Sequence, residues 1–274
     1  MSRFPVDYLD RKPLGRSGEF VSAIGLGTWG IKDEERARTA LIHAVELGMN
    51  LVDTAEMYGN GRAEEFVGRV IREVGRESVF VTTKLYPHRF RDPERAVKAA
   101  ESSLRRLGIR HVDLVLIHWP DDLAPIRAQI RSLEAIAEHG LTRYIGLSNF
   151  SLRQIKEAIE STTKFEIVVN QVKYSILDRS IERDLLSFCI DLGITIMAYS
   201  PLEKGAIVNA RIARELASRY SKTPVQIALN YLISRPRVVA IPKAERVEHV
   251  EELKESMGWR LRPEDIELVE KSSY

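Results

Sequence analysis

Short runs of apolar and β-branched residues recur along the chain, and longer segments with apolar positions at helical spacing lie between them. The runs cover residues 22–27, 50–53, 79–83, 113–117, 144–147, 167–170, 194–198 and 238–241. Their near-continuous hydrophobicity suits parallel strands covered on both faces. Helix starts are marked by Asp33, by Asp92 before Pro93, and by two capping boxes, Ser151 with Gln154 and Thr223 with Gln226. Within a helix such as the one after Pro93, Ala96, Ala99, Ala100, Ser103, Leu104 and Leu107 supply one face for a sheet.

Eight alternating strand and helix units in about 250 residues predict an α/β fold, a (β/α)8 TIM barrel, with residues 1–274 forming one domain. Residues 12–21 carry a Gly-Arg-Ser-Gly turn between short apolar runs and predict an N-terminal β-hairpin able to plug the barrel bottom. Two extra helices are expected. Residues 209–220 and 223–234 form two helical patterns where one would suffice, and another helix follows Pro263.

Gly25-Leu26-Gly27-Thr28-Trp29-Gly30 has the G-x-G-x-x-G spacing of a doubly wound dinucleotide-binding fold, with Asp53 ending the next strand. Bulky Trp29 sits where such a turn should approach a pyrophosphate, and the helix signal at Asp33 comes only after the third glycine. A tight turn leaving a barrel strand explains the glycines better.

Asp53, Tyr58, Lys84 and His118 fall at or just beyond the ends of three successive runs, so a barrel would gather them on one face. Their types suit one proton-coupled reduction. A carbonyl that accepts hydride develops charge on oxygen and needs a proton, which the Tyr58 phenol can supply if its pKa, normally ~10, is brought closer to neutrality. The Lys84 ammonium is the expected tuner, Asp53 holds that ammonium, and His118 orients the substrate oxygen. Hydride must come from a cofactor.

These segments closely resemble the aldo-keto reductase family over essentially the whole chain. The match runs from residues 25–30 through 53–59, Thr83-Lys84-Leu85 and Ile117-His118-Trp119-Pro120 to Ile241-Pro242-Lys243. The resemblance implies a barrel that uses NADPH to reduce aldehydes or ketones, with Asp53, Tyr58, Lys84 and His118 as the catalytic tetrad. It also implies cofactor contacts from Gly27, Thr28, Trp29 and Asp53, a nicotinamide clamp of Ser148, Asn149 and Gln171, and stacking by Tyr199. Ser200, Pro201 and Leu202 would then lie along the pyrophosphate, and Lys243, Arg246 and Glu252 near the adenosine phosphate. Trp29, Tyr86 and Trp119 would wall the substrate pocket.

Where the family often has Ser, Arg and Glu-Asn after the Ile-Pro-Lys segment, this chain has Ala244, His249 and Glu252-Leu253, so NADH stands beside NADPH as a donor. Tyr86 replaces a common Trp, the loop after His118 is short, and Tyr274 stands where longer relatives carry a loop over the pocket. An open apolar mouth with broad acceptance of small carbonyl compounds is expected.

The remaining composition narrows the partners. A net charge of +2, from 41 basic and 39 acidic residues, gives no electrostatic case for nucleic acid or an anionic membrane. No apolar run approaches the ~20 residues of a membrane span, and a cytoplasmic monomer is the expectation. The single Cys189 reads as a buried thiol, and the other histidines show no metal-ligand spacing. The alternative reading is a nucleotide-sensing protein like the β subunits of potassium channels, with weak reductase activity.

Overall fold

In the computed structural model, which describes residues 3–272, every one of the eight runs contributes to one parallel sheet. The chain order begins with the hairpin strands β1 (Arg11–Pro13) and β2 (Phe20–Ser22), followed by β3 (Leu26–Gly27) and α1 (Glu34–Glu46). Next come β4 (Leu51–Asp53), α2 (Arg62–Val74), β5 (Phe80–Leu85), α3 (Pro93–Leu107), β6 (Val112–Ile117) and α4 (Ile126–Glu138). The second half contains β7 (Thr142–Ser148), α5 (Leu152–Ser161), β8 (Ile167–Lys173), α6 (Leu185–Asp191), β9 (Thr195–Tyr199), α7 (Arg211–Tyr220) and α8 (Pro224–Ile233). It ends with β10 (Val238–Ala240), α9 (Val247–Lys254) and α10 (Pro263–Lys271).

Strands β3 to β10 are neighbours in sequence order, and the two ends of the sheet meet. The Ala240 amide donates to Ala23 O at 2.9 Å, Gly25 N to Ala240 O at 2.9 Å and Gly27 N to Pro242 O at 2.9 Å, which closes the barrel. The doubly wound alternative is thereby excluded, because that fold requires a reversal of strand order. The glycines serve packing instead. A Cβ on Gly25 would stand 2.4 Å from Leu51 O, and one on Gly27 would stand 3.0 Å from Ile241 O. The predicted first run, 22–27, is divided between two sheets, with Phe20–Ser22 pairing in the hairpin and only Leu26–Gly27 lying in the barrel.

Helix starts form where their side chains dictate. Asp33 and Asp92 accept from backbone amides in the first turns of α1 and α3, and both capping boxes are complete at α5 and α8. The extra helices are α7, inserted before α8, and α10, added after α9. Among the described residues no helix is long and apolar enough to cross a membrane, and no cluster could hold a metal ion. Tyr274 lies outside the described residues.

The core has two compartments. The larger lies between sheet and helices and contains Cys189, whose thiol is pushed by burial up to about 12. The smaller fills the barrel interior with Leu51, Phe80, Leu114, Leu116, Val169, Met197, Val239 and Ile241, and the hairpin adds Leu14 and Val21. Thr195 pins the hairpin to the start of β9, accepting from Gly15 N at 2.9 Å and donating to Pro13 O at 2.7 Å. The hairpin therefore stops the N-terminal end of the barrel, as its turn sequence predicts.

Candidate active site

Strand pleating builds the site from that interior layer. Side chains two residues apart share a face, so each interior hydrophobe is followed at the C-terminal end by an inward polar group. Leu51 leads to Asp53, Phe80 through Thr82 to Lys84, and Leu116 to His118, while Val169 leads to Gln171, Met197 to Tyr199 and Ile241 to Lys243. Six strands thus deliver site residues to one mouth.

At its floor, Lys84 Nζ donates to both Asp53 carboxylate oxygens at 2.7 Å and to Thr54 O at 2.8 Å. Both side chains are buried, and Gln171 Nε2 adds a 2.8 Å bond to Asp53 Oδ1 and a 3.0 Å contact to Met197 Sδ. A buried charge pair survives only when its remaining hydrogen-bonding capacity is used, and here it largely is. Burial by itself would lower the Lys84 pKa, but Asp53 and then Tyr58 outweigh it, and the net shift is upward. Lys84 is a fixed cation.

Above that pair, the Lys84 ammonium lies 4.7 Å from the Tyr58 ring centroid, and the Tyr58 and His118 rings meet edge to face at 5.8 Å. Burial raises the Tyr58 pKa, Lys84 opposes it, and the net direction is up. This corrects the expectation of a phenol moved toward neutrality: in the protein alone desolvation wins, so Tyr58 is held as the protonated acid. His118 is lowered to about 3 by burial and then by Lys84, which keeps the imidazole neutral. Its Nδ1 is buried without a hydrogen-bond partner.

Asn149 joins the ends of four strands. It adopts a left-handed φ of 61°, a conformation Asn tolerates better than most residues. Its amide donates to His118 O at 3.1 Å and to Ser148 Oγ at 3.1 Å, it accepts from Tyr199 Oη at 2.9 Å, and its backbone N–H donates to Gln171 O at 2.8 Å. Thr28 N and Oγ1 both donate to Asp53 O, each at 3.0 Å, so the first strand is tied to the floor. Ser200, Glu203 and Lys204 follow Tyr199 with positive φ, and Lys204 reaches over the Trp29 ring at 5.4 Å.

The walls are aromatic. Tyr86 and Trp119 meet edge to face at 6.3 Å, while Trp29 is 58% exposed at the rim. The group expected near an adenosine phosphate is less concentrated. Lys243 Nζ is already engaged by Glu245 at 2.5 Å and Gly30 O at 3.0 Å, Arg246 is exposed before α9, and the carbonyl of Glu252 accepts from Gln226 at 3.4 Å. Sequence reasoning missed Glu245, Thr54 and Glu56. Glu56, buried two positions before Tyr58, accepts from Tyr86 N at 2.6 Å. Its presence in the Asp53–Gly59 segment was visible, but the turn it grips was not.

A closed (β/α)8 barrel with a buried carboxylate–ammonium pair beneath a tyrosine and a neutral histidine defines a site for proton-coupled chemistry at the strands' C-terminal ends. The Aldo/keto reductase family model matches residues 23–273, and the chain belongs to that family. It is 33% identical to "Methylglyoxal reductase YeaE" of Escherichia coli (strain K12), over 96% of this chain and 95% of that protein. The crystal structure of the thermostable aldo-keto reductase Tm1743 with the inhibitor epalrestat superposes with a TM-score of 0.90 at 40% identity, covering 95% of this chain and 98% of that one. An aldo/keto reductase from Klebsiella pneumoniae in complex with NADP and acetate gives a TM-score of 0.89 at 31% identity, covering 96% and 95% of the two chains.

Proposed function

We propose that this protein reduces small aldehydes, ketones and dicarbonyls to alcohols with NADPH as donor, NADH being the weaker alternative. The observation that carries the reading is the buried Asp53–Lys84 pair directly beneath Tyr58 and beside His118. The similarity to a methylglyoxal reductase and to an NADP-bound relative supports both the substrate class and the cofactor.

The residues around the mouth suit a dinucleotide. Ser148, Asn149 and Gln171 offer amide and hydroxyl groups on adjacent strand ends, and Tyr199 supplies a half-buried ring beside them. The 2′-phosphate falls to Arg246 more than to Lys243, since Lys243 already neutralises Glu245. Arg246 stands at the start of α9, where no side chain caps the backbone amides and the helix dipole favours an anion. The bound dinucleotide supplies the hydride.

The chain's own residues do the rest. Neutral His118 donates a hydrogen bond to the substrate oxygen and orients it. Tyr58 gives its phenolic proton to that oxygen as negative charge develops there, and Lys84 stabilises the phenolate left behind. Asp53 keeps Lys84 charged and in place, and Gln171 keeps Asp53 in place.

Tyr58→Phe removes the proton donor without touching the cofactor groups, so kcat with methylglyoxal should fall about a hundredfold or more while the NADPH Kd stays within about twofold. Stopped-flow absorbance and cofactor fluorescence read the two quantities. Undiminished turnover in Tyr58→Phe would remove Tyr58 from the acid role. Cofactor binding without turnover of any carbonyl by the parent protein would favour the nucleotide-sensing reading.

A further inference from the structure

The two aromatic walls belong to loops from neighbouring strands, and a single ion pair bridges those loops. Tyr86 opens the turn Pro87–Arg91 after β5, and Trp119 follows His118 after β6. Arg91 Nε binds Asp121 Oδ2 at 2.5 Å, and Arg91 Nη2 binds Asp121 Oδ1 at 3.2 Å, a two-point contact across the gap. We propose that the Arg91–Asp121 pair is a positioning clamp that sets the spacing of Tyr86 and Trp119, and with it the size of carbonyl compound accepted. The inference rests on the reductase reading above and deepens it.

The clamp has a rigid end. Gln129 of α4, fully buried, accepts from Asp121 N at 2.9 Å and donates to Asp121 O at 2.9 Å and Ala124 O at 2.7 Å. Gln129 thus fixes both backbone groups of Asp121 to the helical layer, and Asp121 Oδ1 accepts from Leu123 N at 2.9 Å within the loop. The opposite end is held more lightly. Glu56 takes the Tyr86 amide and reaches Arg89 Nε at 3.4 Å, and Phe90 anchors the middle of the turn in the core. Arg91 carries the rigidity of the Gln129 end across to that turn.

An aromatic edge contact alone does not hold a pocket width. The Tyr86–Trp119 contact is worth about 1 kcal/mol, little more than thermal noise for two loops. With the clamp in place, the walls enforce close contact on a small carbonyl compound, and a bulky one must displace them. Among the described residues the ion pair of Arg91 and Asp121 is separate from the bonds that join Asp53 to Lys84 and from the contact of Tyr58 with His118, so the clamp acts on substrate fit and not on proton transfer.

The test uses the full chain. Arg91→Ala should raise KM for methylglyoxal about threefold to fivefold with kcat within about twofold, while a bulky aromatic aldehyde gains relative to it; Arg91→Lys should restore most of the preference. A physical readout accompanies the kinetics. Of the three tryptophans, Trp29 and Trp259 are replaced by Phe, and acrylamide quenching of Trp119 is compared with and without Arg91→Ala. Faster quenching together with the shifted size preference supports the clamp. Unchanged quenching and an unchanged ratio of bulky to small substrates overturn it. If quenching changes but the parent protein reduces no carbonyl compound, the clamp stands as a fixer of the wall and the reductase reading falls.

Discussion

At the scale of single residues, the site depends on groups whose protonation states persist over a wider pH range than water would allow. His118 has an ordinary pKa of 6.5 when unfolded and about 3 when folded, because burial and the Lys84 ammonium disfavour its cation. Between those values the unfolded chain binds a proton that the native protein refuses, so stability falls as pH drops through that window and is unaffected above it. The contribution is up to about 3 kcal/mol between pH 7 and pH 4. Urea unfolding of the parent and of His118→Gln across that range checks it, since the carboxylates titrate alike in both proteins. The parent should lose stability more steeply on acidification; parallel curves would mean that His118 is freely protonated in the folded state. The four central residues were legible from their types and places in the chain. Their protonation was not, because the net direction at Tyr58 depends on how desolvation competes with Lys84, and burial is a property of the fold.

At the scale of elements, the readable parts were those with local causes. The capping boxes at Ser151 and Thr223 and the aspartate at Asp92 act within one turn, and their helices start there. Strands announce themselves by apolar runs because both faces are covered. What stayed hidden was contact between loops of neighbouring strands: Glu245 meeting the Lys32 and Asp33 amides, Glu56 meeting the Tyr86 amide, and Arg91 meeting Asp121 are set by strand register and loop path. The first strand was read too long for a related reason, since Ser22 pairs with Arg11 in the hairpin and not with the barrel sheet. The hairpin is itself testable. Leu14 is fully buried among Leu51, Phe80 and Val168 at the closed end of the barrel, so Leu14→Ala should cost about 2–5 kcal/mol by urea unfolding and leave the NADPH Kd unchanged, because the proposed active site lies at the opposite end. A cost below about 1 kcal/mol would show that the plug does not bear on the core.

At the scale of the whole molecule, the candidate active site exists only while the barrel is closed, because Asp53, Lys84, His118, Ser148, Gln171 and Tyr199 come from six different strands. Closure depends on the seam between the first and last strands, where three backbone bonds join residues 23–27 to residues 240 and 242. Gly25 is the critical point of that seam. Its ideal Cβ would lie 2.4 Å from Leu51 O and 2.7 Å from Leu51 Cβ, both part of β4 and neither able to rotate away. Gly25→Ala must therefore push β3 away from β4, crowding the Gly25–Ala240 bond on the seam side and, through Thr28, stretching the two bonds to Asp53 O on the other. A cost of about 3 kcal/mol is expected. Gly18→Ala is the comparison: it sits at φ 79° with nothing near its Cβ, so only the backbone penalty of about 1 kcal/mol applies. Because the strain at Gly25 reaches Asp53, NADPH affinity should fall in Gly25→Ala and hold in Gly18→Ala, read by cofactor fluorescence beside urea unfolding. Equal stability losses with cofactor affinity intact in both would mean that the seam can open without disturbing the floor of the site.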